Sequence, residues 1–202
     1  MPAPRLLIIA GPNGSGKSSI VTSTGISKDY GENIINPDNY ARSLTDIEDE
    51  TERYLFALIQ CEALRRGLLK NKVSFGLETL ASTQEKIDFV TEAKTNGYEI
   101  HLVFVSLENA ELCCRRVQKR VEKGGHDVEH SKIFSRYDRA MNYLKEYIAL
   151  ADMAYVFDNS GKMPALVFSK NGNRMSILKR PSDVPWVEKY IFSHYSDADK
   201  VL

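Results

Sequence analysis

A glycine-rich loop is the most informative chemical feature of this chain. The apolar run RLLIIA (5–10) is followed directly by GPNGSGKSS (11–19), which matches the pattern G-x-x-x-x-G-K-[ST]. Its glycines let backbone N–H groups turn toward an anion, while Lys17 can reach the β- and γ-phosphates and the Ser18 hydroxyl can ligate Mg²⁺. The loop predicts a nucleoside triphosphate site with these contacts: Gly11, Pro12, Asn13, Gly14, Ser15, Gly16, Lys17, Ser18 and Ser19.

Triphosphate binding leaves open whether the phosphate goes to water or to another molecule. A GTPase would carry the guanine-reading pattern NKxD, and the sequence has none. A motor ATPase typically has a strand of four apolar residues that ends in two acids, the second of which activates water. Here LVFV (102–105) is followed by Ser106 and Leu107. The hydrolase hypothesis therefore lacks its main residue.

Acidic residues follow two further apolar runs and predict an acceptor site. Asp38 and Arg42 lie in NPDNYAR (36–42), and Glu78 and Thr79 end FGLET (75–79). The carboxyl ends of parallel strands border the crevice beside a phosphate loop, where Asp38 could take the proton from an attacking hydroxyl. Alternatively, Asp38 only caps a helix. Thr79 or Ser82 could likewise cap the next helix, with Glu78 balancing local charge.

A cluster of positive charge predicts the donor side of the site. The stretch CRRVQKRVEKGGHDV (114–128) holds five cations within nine residues, and Arg116, Arg120 and Lys123 share one helix face. Arg136 and Arg139 follow on a second helix. Cations that converge on a triphosphate neutralise developing charge, and the glycine pair would let a lid at about 116–136 close. The alternative is a solvated basic face.

The elements that must position these residues alternate along the chain. Short Val- and Ile-rich runs separated by helical patterns predict a three-layer α/β sandwich with a central, mostly parallel five-stranded sheet. ALVFS and RMSIL flank KNGN and predict a C-terminal β-hairpin at about 164–180. Capping-box patterns at Thr45–Glu48 and Ser82–Glu85 predict two helix starts, the first ahead of an apolar helix. We expect one P-loop kinase-like domain over residues 1–202.

Composition narrows the setting and the partners. Lys plus Arg equals Asp plus Glu, at 27 each, which argues against a nucleic-acid binder. Three cysteines without a CxxC pair indicate a reducing cytoplasm rather than a disulfide or zinc framework. No apolar run approaches the roughly 18 residues of a membrane helix, and the N-terminus lacks a signal-peptide cleavage site.

Taken together, these motifs resemble the zeta-toxin family of P-loop kinases. The matching stretches are LIIAGPNGSGKSS, INPDNYAR, FGLETLAS, RVEKGGHDV and VFDNS, within about residues 5–160. The resemblance implies transfer of the ATP γ-phosphate, with Mg²⁺, to a hydroxyl of a UDP-N-acetylhexosamine, and a possible antitoxin partner. The sequence departs from the family pattern at Leu80, where a second threonine is often expected.

The resemblance also implies individual roles. Asp38 would be the general base, Lys17 and Ser18 the phosphate and Mg²⁺ contacts, and Glu78 a substrate contact. Arg120 and Arg136 would contact the γ-phosphate, with Arg116 nearer the adenine. Two other hypotheses remain: a kinase of nucleic-acid 5′-hydroxyls, and a non-catalytic ATP-binding switch.

Overall fold

A single β-sheet organises the part of the chain that the computed structural model describes, residues 2–24, 34–125, 127–178, 183–195 and 199–200. Within those residues, eight strands form the sheet in the order β2-β3-β1-β4-β5-β6-β7-β8. Their bounds are β1 Arg5–Ala10, β2 Ile34–Ile35, β3 Phe75–Thr79, β4 Glu99–Ser106, β5 Met153–Asp158, β6 Ala165–Asn171, β7 Arg174–Ile177 and β8 Asp199–Lys200.

The first five strands are parallel, as the alternating pattern predicts. The predicted hairpin is also present, because β6 and β7 pair antiparallel around Gly172. It does not stand apart from the sheet: β6 pairs antiparallel with β5, so the hairpin widens the five-stranded sheet. Residues 179 and 180 of the predicted hairpin lie outside the described residues. The α/β class is confirmed, and the sheet is wider than expected.

Seven α-helices accompany these strands in the described ranges. They are α1 Lys17–Thr24, α2 Pro37–Ser43, α3 Glu50–Lys70, α4 Gln84–Thr95, α5 Ala110–Val121, α6 His130–Leu150 and α7 Pro185–Val187, which continues as a π-helix over Glu188–Phe192. None of the described helices is both long and apolar enough to cross a membrane.

Both predicted capping boxes are wrong. Asp49 caps α3 by accepting a hydrogen bond from the Glu52 N–H at 2.7 Å, because an acceptor adjacent to the helix displaces the more distant Thr45. Thr83 precedes α4 without a side-chain cap bond. The chain there turns at Ala81, whose φ is 55°, and this turn places Thr83 rather than Ser82 at the cap position.

Apolar side chains cover both faces of the sheet. Leu6 and Ile8 of β1 belong to the larger buried cluster, whereas Leu7 and Ile9 pack with Ile20 of α1 on the opposite face. A strand that is buried on both faces must be apolar at every position, which explains the unbroken run that precedes the loop.

Two long helices differ in how they use their apolar residues. The stripe of α6 is buried as its 3.6-residue period indicates, and it comprises Ile133, Tyr137, Met141, Leu144 and Ile148. In α3, by contrast, Leu55 is 55% exposed and Ile59 64% exposed. The buried positions of α3 are Ala57, Cys61 and Leu69.

The strand register sets the position of the loop. Ala10, the last residue of β1, pairs with Thr79 of β3 on one side and Phe104 of β4 on the other. The loop after β1 therefore leaves the sheet between the carboxyl ends of β3 and β4. This is the edge where open α/β sheets bind their ligands.

Candidate active site

The glycine-rich loop wraps around the Lys17 side chain. Lys17 is only 8% exposed, and its Nζ donates hydrogen bonds to the carbonyl oxygens of Gly11 at 2.9 Å and Pro12 at 3.1 Å. Burial lowers the pKa of Lys17 below its ordinary value, while the nearby carboxylates of Glu78 and Asp38 act in the opposite direction. The ammonium therefore lies within electrostatic range of both predicted acids.

Backbone crowding makes glycine necessary at the start of the loop. A Cβ on Gly11 would lie 2.0 Å from the Val105 carbonyl oxygen, and its φ of 140° is in the region that side chains avoid. The loop consequently follows closely along the end of β4. This close approach holds the start of the loop against the end of β4, beside the crevice at the sheet edge.

Glu78 lies beside the predicted metal ligand. The Ser18 hydroxyl donates to Glu78 Oε2 at 3.3 Å, and Asn36 Nδ2 donates to the same oxygen at 2.9 Å. A hydroxyl and a carboxylate are the oxygen donors that Mg²⁺ uses when phosphates and waters complete its shell, so these residues fit the ion. Among the described residues, no group of three or more His, Cys, Asp or Glu side chains could hold a metal ion by itself. Phosphate oxygens and waters would therefore have to complete the shell of the ion.

Asn36, rather than Asp38, caps the helix of the predicted acceptor segment. Asn36 Oδ1 accepts hydrogen bonds from the backbone N–H groups of Asp38 at 2.9 Å and Asn39 at 3.3 Å. The alternative interpretation of Asp38 as a helix cap is therefore wrong. Asp38 is an exposed residue in the first turn of α2, and its charge acts on Lys17 and on Tyr54.

A large cleft of about 1130 Å³ lies between the loop and the basic face of α5. Its lining combines Gly14, Gly16 and Ser19 of the loop region with cations of α5, which are Arg116, Lys119, Arg120 and Lys123. Arg42 also lines it, as do Gly124 and Gly125. The predicted donor-side cations Arg116, Arg120 and Lys123 therefore line the cleft beside the loop. Of the predicted lid at about 116–136, residue 126 is outside the described residues.

Asn159 was missed by sequence reasoning and links the loop to α5. Its Nδ2 donates to the Ser15 carbonyl oxygen at 2.8 Å, and its own carbonyl oxygen accepts from Arg116 Nη2 at 2.6 Å. Arg116 is thereby held at the cleft wall. Its place in the sequence could have identified it, because Asn159 directly follows β5 and emerges at the same sheet edge as the loop.

The remaining predicted residues do not line the cleft. Arg136 of α6 is half-buried and near Tyr54, a residue that sequence reasoning did not select. Burial raises the pKa of Tyr54, the Asp38 charge adds to this rise, and the Arg136 charge opposes it. Asp38 and Arg136 therefore both lie close to Tyr54. The Thr79 hydroxyl accepts from the Ala81 N–H at 3.1 Å, which uses it as a local turn acceptor.

These features define a class of protein. A phosphate loop after the central strand of a mostly parallel sheet, faced by a cationic helix, is the architecture of a P-loop kinase fold. The sequence model of the family described as "Zeta toxin" matches residues 1–180. The chain belongs to this family.

Similar proteins agree with this class at the level of the fold. A crystal structure of AvrRxo1-ORF1:-ORF2 with ATP superposes with a TM-score of 0.74 at 18% identity, covering 93% of this chain and 63% of that one. The PezAT toxin-antitoxin system of Streptococcus pneumoniae gives a TM-score of 0.58 at 18% identity, with 84% and 72% coverage. An uncharacterised protein of Haemophilus influenzae is 26% identical over 139 residues, which is 66% of this chain and 92% of that protein.

Proposed function

We propose that this protein is an ATP-dependent kinase that transfers the γ-phosphate to a hydroxyl group of a small molecule. We further propose a nucleotide sugar such as UDP-N-acetylglucosamine as the acceptor, acting in the cytoplasm. The observation that carries the proposal is the phosphate loop closed around the Lys17 side chain and faced by the cationic cleft wall of α5. Membership of the Zeta toxin family supports it.

Each residue has a defined task in this reaction. Lys17 would exchange its two backbone carbonyl acceptors for β- and γ-phosphate oxygens, which accept more strongly because they are charged. Asp38 would take the proton of the acceptor hydroxyl. At the same time, the oxygen of that hydroxyl would form a bond to the γ-phosphorus. The bond from phosphorus to the bridging oxygen breaks, and ADP leaves. Arg120 would offset the charge that develops on the γ-phosphate, while Arg116 would lie nearer the adenine.

Ser18 and Glu78 would hold Mg²⁺ on the opposite side of the phosphates. Mg²⁺ held there would neutralise part of the charge on the phosphates. Glu78 was predicted from the resemblance as a substrate contact. Its hydrogen bond to Ser18 supports a role on the metal side instead.

The hypothesis of a nucleic-acid 5′-hydroxyl kinase receives less support. Single strands are usually held by a basic channel with aromatic side chains on which bases stack. The described residues that line the cleft include five cations and two acids, Glu50 and Asp127, but no aromatic side chain. On the acceptor side, Tyr54 is the aromatic residue whose pKa responds to the Asp38 charge. The equal numbers of acidic and basic residues also argue against a polyanionic acceptor.

A neutralising protein partner is a further part of the proposal. PezAT is a toxin-antitoxin system, and AvrRxo1-ORF1 crystallises with ORF2. We propose that a comparable antitoxin binds this chain.

Phosphate transfer to a product tests the proposal directly. The protein is incubated with γ-labelled ATP and a panel of nucleotide sugars, polyols and 5′-hydroxyl oligonucleotides, and labelled products are identified by mass. We expect a labelled nucleotide sugar. Asp38→Asn should bind ATP normally but transfer about 10²- to 10⁴-fold more slowly, the range for loss of a general base. Asp88→Asn, at an exposed position of α4, is the matched control and should keep the parent rate.

Two outcomes would count against the proposal. If ATP is only hydrolysed across the whole panel, the protein is not a kinase of this class. If Asp38→Asn transfers at the parent rate, Asp38 is not the base.

A further inference from the structure

The side chain of Asn36 joins the two acids of the site. Its Oδ1 accepts from the N–H groups at the start of α2, and its Nδ2 donates to Glu78 Oε2 at 2.9 Å. The same Glu78 oxygen accepts from the Ser18 hydroxyl at 3.3 Å. One amide therefore connects the backbone of Asp38 to the carboxylate beside Ser18.

The chemistry of the two neighbours fixes the orientation of this amide. The backbone N–H groups of α2 require an acceptor, so the oxygen of Asn36 must face them and the nitrogen must face Glu78. Aspartate could cap the helix but would place a second carboxylate against Glu78. Serine could also cap it, but its single short hydroxyl could not reach Glu78 at the same time. Asparagine meets both demands.

We propose that Asn36 is a positioning residue that orients Glu78 toward the metal side of the phosphates and Asp38 toward the acceptor side. The catalytic consequence of this inference rests on the proposed function. The contact itself does not depend on that function. Because β2 and β3 are neighbours in the sheet, Asn36 and Glu78 leave adjacent strands and meet at one edge. A single side chain can therefore set the spacing between the two halves of the site.

A purely structural role makes a different prediction. If Asn36 only caps α2, Asn36→Ser should behave like the parent, because serine and asparagine cap helices about equally well. If Asn36 also positions Glu78, Asn36→Ser should fold normally and still weaken the metal side. The matched control is Asn109→Ser, since Asn109 caps α5 by accepting from the Leu112 N–H at 2.9 Å.

Metal binding gives the first readout, independent of turnover. Mn²⁺ serves as the probe, and its binding to the protein with a non-hydrolysable ATP analogue is followed by electron paramagnetic resonance. We expect the dissociation constant for Mn²⁺ to rise about 10- to 100-fold in Asn36→Ser, the usual effect of losing a partner of a metal ligand. Asn109→Ser should bind Mn²⁺ like the parent. Parent-like binding by Asn36→Ser would reduce Asn36 to a helix cap.

Thermal stability gives the second readout. Asn36→Asp should lower the Tm by a few degrees, because two carboxylates then meet at hydrogen-bond distance. Adding Glu78→Gln should restore most of this loss, since the glutamine amide can donate to the new aspartate and recreate the pair in reverse. If Glu78→Gln gives no recovery, the two side chains do not interact in solution.

Turnover separates this inference from the proposed function. With an active parent, Asn36→Ser should lower kcat about 10-fold or more and require more Mg²⁺, while KM for ATP changes little. If the parent transfers no phosphate to any acceptor, the proposed kinase activity fails. The Mn²⁺ and Tm results would then still confirm or overturn the positioning of Glu78 by Asn36.

Discussion

The glycine pair after α5 offers a sharp test of the cationic cleft. Gly125 donates its backbone N–H to the Arg120 carbonyl oxygen at 3.0 Å. A Cβ at Gly125 would lie 2.6 Å from Arg120 Cγ and 2.9 Å from the Arg120 carbonyl oxygen. Gly125→Ala should therefore push the Arg120 side chain out of its present position in the cleft.

The size of the effect follows from these distances. Carbon atoms in contact are normally about 3.5–4.0 Å apart, so Arg120 Cγ must retreat by about 1 Å. A misplacement of about 1 Å at a catalytic group can lower a rate by about 10²-fold. We expect kcat to fall about 10- to 100-fold in Gly125→Ala. KM for ATP should change much less, because the Arg120 contact is expected to strengthen in the transition state.

Gly124→Ala is the matched control. Gly124 has a φ of 82°, and a Cβ there would meet no heavy atom within 4 Å. Alanine at Gly124 should cost about 1–2 kcal/mol of backbone strain without displacing Arg120. Steady-state phosphotransfer and thermal unfolding of both variants separate the two effects. Equal losses of kcat in both variants, or a parent-like Gly125→Ala, would refute the steric reasoning.

Three further predictions concern buried groups. Lys17→Ala should abolish transfer and weaken ATP binding about 10- to 100-fold by calorimetry, since it removes a charged donor to the phosphates; a folded variant with parent-like affinity would contradict this. Burial raises the pKa of the Cys113 thiol to about 12, and it also raises the pKa values of Cys61 and Cys114. All three thiols should therefore react slowly with a disulfide reagent at pH 8, because only the thiolate is reactive. Unfolding in urea should make them react rapidly. Because an unfolded thiol loses its proton near 9.0 while folded Cys113 retains it, stability should fall as pH rises from about 9 to 12. A thiol that reacts rapidly in the native protein would show that its site opens.

The sequence alone was sufficient to predict the features that depend on residues close together in the chain. The glycine loop, the five parallel strands and the buried stripe of α6 all follow from short-range patterns. Each pattern repeats within one element, so its periodicity reports directly on the faces that must be buried.

Other features were decided by the tertiary structure. Sequence reasoning placed Glu78 at this sheet edge as a substrate contact, but only the strand order, which puts β3 beside β1, brings its carboxylate to the Ser18 hydroxyl. The apolar residues of α3 could not be assigned to a surface or a core from their pattern alone, because that depends on which elements pack against the helix.

Asn36 shows the same division within one residue. Its capping role is local, and an asparagine before Pro37 is a recognisable helix start. Its bond to Glu78 spans 42 residues and exists only because β2 pairs with β3. Local periodicity determines which segments become strands and helices, whereas long-range strand pairing determines which of their ends meet. The candidate site is built where those ends meet.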